Sequence, residues 1–448
     1  MAKMSNEMNE LMEQKTYRAQ METLQDDTIG TSPHWLRTLR TAAAARFTEL
    51  GFPSRNHEEW RSTNIAPIAE TLFERGAGTL DAAQLANLPF VDLPGHLVVF
   101  VDGVFAPEIS RVGALPNGVI VCSLADVLRD NPAALEPYLA KYAEFDRAAF
   151  AALNTAFLSE GAYLSIPQNA VIEEPIQILC VSAAGAAPTV SYPRALIIVG
   201  ANSQATIAET YIQAGEGTVF SNAVTEIVLG ENAILDHYKT TQFSDASYHI
   251  GTLSVELAKS ANFSSHSMTL DGAIVRHDSN AKLAGEGGEC TLNGLYIARG
   301  RQLVDNHTAI DHAVPHCNSH ELYKGILDDR SRGVFNGKIF VRLDAQKTDA
   351  KQTNQTLLLS KEATINTKPQ LEIFADDVRC THGATIGQLD DEMLFYLRAR
   401  GIGREEARGL LTYAFASDVI DRMKFSALRN QIHRALFSHL PSEIRAEE

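Results

Sequence analysis

Residues 204–209 read QATIAE, residues 232–237 NAILDH, residues 260–265 SANFSS and residues 288–293 GECTLN; these four stretches decide the fold. In each, small residues at turn-like positions lead into alternating apolar and polar side chains. Aligned on Ala205, Ala233, Ala261 and Glu289, the stretches recur every 28 residues. Further on, RGVFNG at Gly333 and EATINT at Ala363 stand 30 residues apart, and the 44 residues from Glu289 to Gly333 make about one and a half periods. A repeat near 28 with period-two alternation and no helical period is the mark of a β-solenoid, in which each coil buries its inward residues against the next. The hexapeptide period of left-handed β-helices is absent, and so are calcium-binding glycine-rich nonapeptides. A wide, right-handed parallel β-helix fits, with a β-sandwich as the alternative.

The strand texture begins at Gly161, with GAYLSIPQNAVIEEPIQILCVSA, and continues to about Gln388. Ahead of it, residues 31–160 read as a mainly helical domain. A helix starts at Ser32-Pro33 and stops at Gly51. RNHEEWRSTNIAPI, residues 55–68, reads as a structured loop. Leu97–Val101, Asp102-Gly103 and Val104-Phe105 give a hairpin with a type I′ turn. Helical segments are expected over 131–142 and 144–157. Residues 1–30 form a polar, flexible extension. After Gln388 the period becomes helical, with helices expected over 390–401, 404–423 and 425–440 inside a C-terminal domain spanning 389–448. The expected architecture is therefore mainly β: a right-handed parallel β-helix core flanked by N-terminal and C-terminal α-helical domains.

Composition removes several function classes. A formal charge of −16 over 448 residues argues against nucleic acid, which calls for a basic footprint. The most apolar stretch, near residues 195–200, is far shorter than the ~20 residues that span a bilayer. The first twenty residues carry no apolar signal region. The five cysteines, at 122, 180, 290, 317 and 380, form no CxxC pair. These features together predict a cytoplasmic protein with reduced thiols.

The chemistry concentrates between Arg301 and Gln388, which hold five of the fourteen histidines and two of the five cysteines. Asp311, His312, His316, Cys317 and His320 look like metal ligands by type. On one strand His312, His316 and His320 lie ~13 Å apart at each step, too far for one tetrahedral ion without a turn, although Pro315 permits one. A hydrogen-bonded polar ladder is the competing reading. Val378, Cys380 and His382 share a face of an extended segment, with thiol and imidazole ~7 Å apart. A soft sulfur beside an imidazole suits sulfur, iron or zinc when a second chain completes the shell. A buried cysteine with a satisfied histidine is the structural alternative. Gly383 permits close backbone approach. GVFNGK, residues 333–338, has three residues between its glycines and Ile339 where a phosphate loop needs Ser or Thr, and reads as a solenoid turn. His57-Glu58-Glu59 lacks the second histidine of a metalloprotease, since Arg61 stands there. Asp376-Asp377 are adjacent, so on a strand they point to opposite faces. Cys122, Cys180 and Cys290 read as core residues.

The run VDNHTAIDHAVPHCNSHELYKGILDDRSRGVFNGKIFVRLDAQKTDAKQTNQTLLLS, followed by TKPQLEIFADDVRCTHGATIGQLDDEMLFYLRARGI, resembles the SufB/SufD family of iron–sulfur cluster assembly proteins. More weakly, the similarity extends back through EEWRSTN to about residue 32. Thr381-His382-Gly383-Ala384-Thr385 replaces the Glu-His-Glu-Ala-Thr of SufB-type chains, and no cysteine lies between Cys317 and Cys380, so the likeness is to the SufD branch. The resemblance implies a non-enzymatic subunit that pairs through its β-helix with a SufB homologue. It also implies docking of the SufC ATPase through the C-terminal helices, with Leu394, Tyr396, Leu397, Leu410, Leu411 and Phe415 as the candidate surface. His382, with Cys380 as neighbour, is the residue it implies for a transient iron–sulfur cluster shared with SufB, and a part in iron acquisition goes with this. Reduced flavin belongs to the whole complex, and no cofactor is expected to bind tightly to this chain alone. A SufD homodimer is the other assembly considered. A solitary β-helix enzyme acting on a polysaccharide or acyl donor is the competing class; it needs converging carboxylates that the sequence does not offer.

Overall fold

The computed structural model describes Tyr17 and residues 32–439, so the expected N-terminal extension lies almost wholly outside the described residues. The first strands are β1 (Glu74–Arg75), β2 (His96–Val101), β3 (Val104–Phe105) and β4 (Ile120–Ser123). From residue 162 strands follow one another with only turns between them. They are β5 (Ala162–Ile166), β6 (Ile176–Ala183), β7 (Thr189–Ser191), β8 (Arg194–Val199), β9 (Gln204–Ala214), β10 (Val219–Leu229), β11 (Ile234–Gln242), β12 (Tyr248–Leu257) and β13 (Asn262–Asp271). The run continues with β14 (Ile274–Leu283), β15 (Glu289–Ala298), β16 (Leu303–His312), β17 (Asn318–Leu327), β18 (Arg332–Val341), β19 (Asp349–Leu358), β20 (Thr364–Ile373) and β21 (Arg379–Gly387).

Successive strands alternate between two sheets. One runs β20-β18-β16-β14-β12-β10-β8-β5-β4 and the other β21-β19-β17-β15-β13-β11-β9-β6-β2-β3. Within the solenoid every pairing is parallel, which is the β-helix that the repeat predicts. The ladder refines the repeat. Ala205 pairs with Leu235, Leu235 with Phe263, Phe263 with Cys290, Cys290 with Ser319, Ser319 with Ala350 and Ala350 with Cys380. Coils therefore take 30, 28, 27, 29, 31 and 30 residues (235 − 205 through 380 − 350). Ala205 is thus not the counterpart of Ala233: β9 and β10 run to 11 residues each, where β11 and β12 take 9 and 10. Likewise Gly333 pairs with Ile365, two residues past Ala363. The small residues mark the corners, and corners drift relative to the ladder. Asn169, Asn202, Asn232 and Ser260 take positive φ there, and Asn232 Nδ2 and Asn202 Nδ2 each donate at 3.0 Å to the side-chain oxygen of the asparagine one coil before. Asparagine tolerates that left-handed geometry better than most residues.

Inward positions fill the lumen with Ile, Leu, Val and Phe, among them Ile178, Ile207, Ile227, Leu235, Leu257, Phe263, Ile310 and Phe335. Each such side chain contributes on the order of 1.5–3 kcal/mol through burial. The outer face of the β10 sheet carries N-terminal elements: Phe47, Ile65, Ile68, Phe73, Phe150 and Phe157 pack on Val190, Tyr192, Phe220 and Ile250. The outer face of the β11 sheet carries the C-terminal helices Arg404–Ile420 and Ser426–His439. Ala416, Val419, Ile420, Met423, Leu428, Ile432 and Leu436 cover Tyr238, Met268, Leu295, Leu322 and Ile326.

The hairpin forms as predicted, with Asp102 and Gly103 at φ 51° and 83°. The helix expected from Ser32-Pro33 runs His34–Leu50 and ends at Gly51, φ 63°. Ser32 does not cap it; its hydroxyl accepts from Arg40 Nη1 at 3.0 Å. The helix expected over 131–142 does not form. A single 3₁₀ turn at Pro132–Ala134 is followed by turns, because the N–H groups of Ala140, Tyr142 and Ala143 donate to the buried Glu226 carboxylate at 2.8–3.0 Å. The segment predicted over 144–157 shortens to Ala149–Ala156. GVFNGK is not a turn but the body of β18. Gly333 and Gly337 face inward, where an added Cβ would meet Ile365 at 2.9 Å and the Gln352 amide at 2.2 Å.

Candidate functional site at the open end of the solenoid

The two ends of the solenoid differ. At the N-terminal end antiparallel β3 and β4 complete the sheets. At the C-terminal end, among the described residues, β20 pairs only with β18 and β21 only with β19, so each presents a free strand edge. Apolar Ile373, Phe374 and Ile386 are exposed there. Solenoids ordinarily cap such an end with a polar or covering element, since unpaired N–H and C=O groups recruit further strands.

Cys380 and His382 lie on β21 at this end, two residues apart and so on one face. Cys380 is half-buried against Ala350, its partner on β19, and joins the cluster of Ile339, Val341, Ala345, Ala375 and Leu371. Burial, and then Asp349, pushes its thiol pKa up, so the free chain holds it protonated. A metal or sulfur group would displace that proton on binding. His382 pairs with Gln352 and is exposed at the mouth of the lumen. Gly383 beside it would place an added Cβ with nothing within 4 Å. One sulfur and one imidazole nitrogen suit iron or an iron–sulfur cluster, and two donors leave the set incomplete.

The histidines at the start of this region do not converge. His312 is inward on β16 and faces Ser319 Oγ at 2.9 Å; burial lowers its pKa to about 4. His316 sits in the following turn at φ 62°, and His320 is exposed on β17 in the other sheet. Among the described residues no three His, Cys, Asp or Glu side chains form a metal-holding group. Asp376 and Asp377 lie in the β20–β21 turn, not on a strand, and Lys347 pairs with Asp377.

The C-terminal helices divide the candidate docking residues. Helix Asp391–Ala399 is capped by Asp390, whose carboxylate accepts from Glu392 and Met393 N–H, and it buries no side chain fully. Tyr396 and Leu410 are exposed, while Leu394, Leu397 and Leu411 are half-buried. Phe415 packs on the solenoid, with Lys324 Nζ 4.5 Å from its ring centre. Met393 and Phe395, exposed beside Tyr396, extend the apolar surface and were not among the residues that the sequence pattern singled out.

A second constellation escaped the sequence reading because its members are hundreds of residues apart. The EEWRST loop crosses the outer face of β14, β16, β18 and β20. His307 Nδ1 donates to Glu59 Oε2 at 3.2 Å and its Nε2 lies 3.0 Å from Asp305 Oδ1. Arg276 stacks on Trp60 with its guanidinium carbon 3.8 Å from the ring centre, and pairs with Asp305 and Asp278 at 2.7 Å. Thr63 donates to Asp305, Asn336 to Glu59, and Lys368 on the edge strand β20 to Glu58. Burial opposes charge on both His307 and Asp305, but their mutual attraction, with Arg276 on the carboxylate, prevails: His307 is pushed up to about 9 and Asp305 held down to about 2. EEWRSTN itself, a charged and aromatic run inside a loop, was the one visible signal.

The family models match along nearly the whole described chain. The SufBD core domain of SUF-system FeS cluster assembly matches residues 180–415, and the SufBD protein N-terminal region matches 11–178. The chain belongs to the SufBD family. An iron–sulfur cluster assembly SufBD family protein of Synechocystis is 33% identical over 416 residues, covering 91% of this chain and 92% of the relative. The iron–sulfur cluster assembly protein SufD of Escherichia coli is 31% identical, covering 88% and 91%, and that of Bacillus subtilis 25%, covering 89% and 93%. The core match spans the solenoid from β6 onward and reaches helix Arg404–Ile420, so this SufBD chain carries the open end, Cys380 and His382 inside the family's defining region. Among the described residues no helix is long and apolar enough to cross a membrane.

Proposed function

We propose that this SufBD chain is a non-enzymatic subunit of an iron–sulfur cluster assembly complex that presents half of a cluster site to a SufB-type partner. The observation that carries the reading is the uncapped end of the solenoid, where two free strand edges flank a mouth bearing Cys380 and His382. Strand addition by a partner would satisfy those edges and cover Ile373, Phe374 and Ile386. The same step would bring a second chain's donors to the exposed imidazole. The nascent cluster is cargo built between chains, held here by the His382 nitrogen with the Cys380 thiol behind it. Met393 and Tyr396 on helix Asp391–Ala399, with Leu410 on helix Arg404–Ile420, form the docking surface for a SufC-type ATPase, which supplies the energy of ATP hydrolysis. Co-expression with SufB and SufC homologues tests this. His382→Ala should leave the subunit ratio unchanged and sharply lower the iron and sulfide recovered anaerobically. Full cluster yield from that variant would remove His382 from the function.

A further inference from the structure

Directly beneath His382 the lumen holds a column of polar side chains. In the β17–β19–β21 ladder Glu321 pairs with Gln352 and Gln352 with His382, so three inward side chains stack on neighbouring strands. Gln352 is 1% exposed and Glu321 3%. Gln352 Nε2 donates to Glu321 Oε2 at 2.7 Å. Gln352 Oε1 and Glu321 Oε1 are buried without a protein partner. Space for the amide is provided from the opposite sheet, where a Cβ on Gly337 would lie 2.2 Å from Gln352 Nε2. The next coil in the same column offers only Leu292, so the polar stack starts at Glu321 and ends at the mouth.

We propose that Gln352, fixed by Glu321, is the positioning residue that selects the tautomer and orientation of the His382 ring. The logic is that of a metal-binding histidine whose second nitrogen is set by an outer partner. With its N–H₂ turned down to the Glu321 carboxylate, the Gln352 amide turns its carbonyl up, and a carbonyl accepts an N–H. That carbonyl has no partner in this structure, and the exposed His382 ring reaches it by turning toward Gln352; the nitrogen that does so carries the proton, and the other presents its lone pair to the open mouth. Were Glu321 neutral, its O–H could donate to the amide and the amide could flip, reversing the polarity offered to the ring. Burial drives Glu321 that way, raising its pKa to about 7, while the Gln352 hydrogen bond opposes the shift. The titratable groups facing it, Cys290 on β15 and Tyr323 on β17, are both held neutral by burial. This inference rests on the reading of His382 as the interface ligand, but its test does not.

The test is ring ¹⁵N NMR of histidine-labelled full-length chain, alone and without iron, at a pH where the His382 ring is neutral. Wild type should show one dominant His382 tautomer. Gln352→Leu, close in volume, should move the ring toward the tautomer mixture of a free imidazole while the buried His237 and His312 signals stay in place. Glu321→Leu should shift it the same way, and Glu321→Gln, which can still accept from the amide, should restore the wild-type ring. Unchanged His382 signals in Gln352→Leu would overturn the proposal. A change in Gln352→Leu without one in Glu321→Leu would overturn the part given to Glu321. Because no partner or metal is present, these outcomes stay separate from cluster recovery in His382→Ala complexes.

Discussion

His307 on β16 stands between two carboxylates, 3.2 Å from Glu59 and 3.0 Å from Asp305, and so joins the N-terminal loop to the solenoid as an imidazolium. Raised from 6.5 to about 9, its contribution is complete below about pH 6.5 and is lost as pH rises through about 9. The shift sets an upper bound of about 3 kcal/mol at 1.36 kcal/mol per unit. Urea unfolding should therefore show a fall in stability between pH 6 and pH 10 that His307→Gln largely abolishes. Equal slopes in the two proteins would show that the imidazolium is not what holds the loop.

Glu321 behaves in the same sense for a different reason. It is a carboxyl whose folded pKa is raised by burial to about 7, so the native state favours the protonated form and loses stability as pH climbs from about 4.5 through 7. Glu321→Gln removes that ionisation while keeping an acceptor for Gln352. The variant should match wild type near pH 5 and be more stable at pH 8, by at most about 3 kcal/mol. Thermal melts at the two pH values decide it; a destabilised variant at pH 8 would mean that the ionised carboxylate is well accommodated.

The way the C-terminal helices sit on the solenoid makes a third expectation. Tyr238 on β11 accepts at 3.1 Å from the N–H groups of both Lys424 and Phe425, in the link leading to helix Ser426–His439. Removing that oxygen leaves two N–H groups short of an acceptor, at roughly 1–3 kcal/mol for an unmade buried bond. Tyr238→Phe should speed hydrogen exchange at residues 424–432 without altering β13 or β15. Exchange unchanged at residues 424–425 would show that water replaces the phenol freely.

What the sequence carried and what it withheld divide along sequence distance. Alternation within ten residues and recurrence near 28 were enough for a parallel solenoid, because coil stacking is a local rule repeated. Register was only approximate, since small corner residues such as Ala205 and Ala363 were aligned in place of the ladder. The failed helix at 131–142 shows the opposite limit: its N–H groups were claimed by Glu226, over eighty residues away, and local pattern has no access to that. Cys380 and His382 were legible as a pair because two residues on a strand share a face. The column below His382 was not, because Glu321, Gln352 and His382 are about one coil apart and meet only through the ladder. The Glu59–His307–Asp305 cluster was hidden likewise.

Two glycines near the site separate internal packing from approach by a partner. Gly337 faces the lumen, and a Cβ there would lie 2.2 Å from Gln352 Nε2 and 2.8 Å from Phe335 Cζ. Gly337→Ala should therefore push the amide off Glu321 and destabilise the isolated chain by about 1–3 kcal/mol, the usual range for overpacking. Gly383 has nothing within 4 Å and no positive φ, so Gly383→Ala should leave the isolated chain within about 0.5 kcal/mol of wild type. A Cβ at Gly383 points out of the sheet face opposite to His382, so the added methyl group meets a partner that also covers this outer face. Gly383→Ala should then weaken heterodimer formation in a titration against a SufB homologue, while Gly337→Ala acts mainly on folding. Wild-type affinity for Gly383→Ala would place the partner's backbone away from this face of β21.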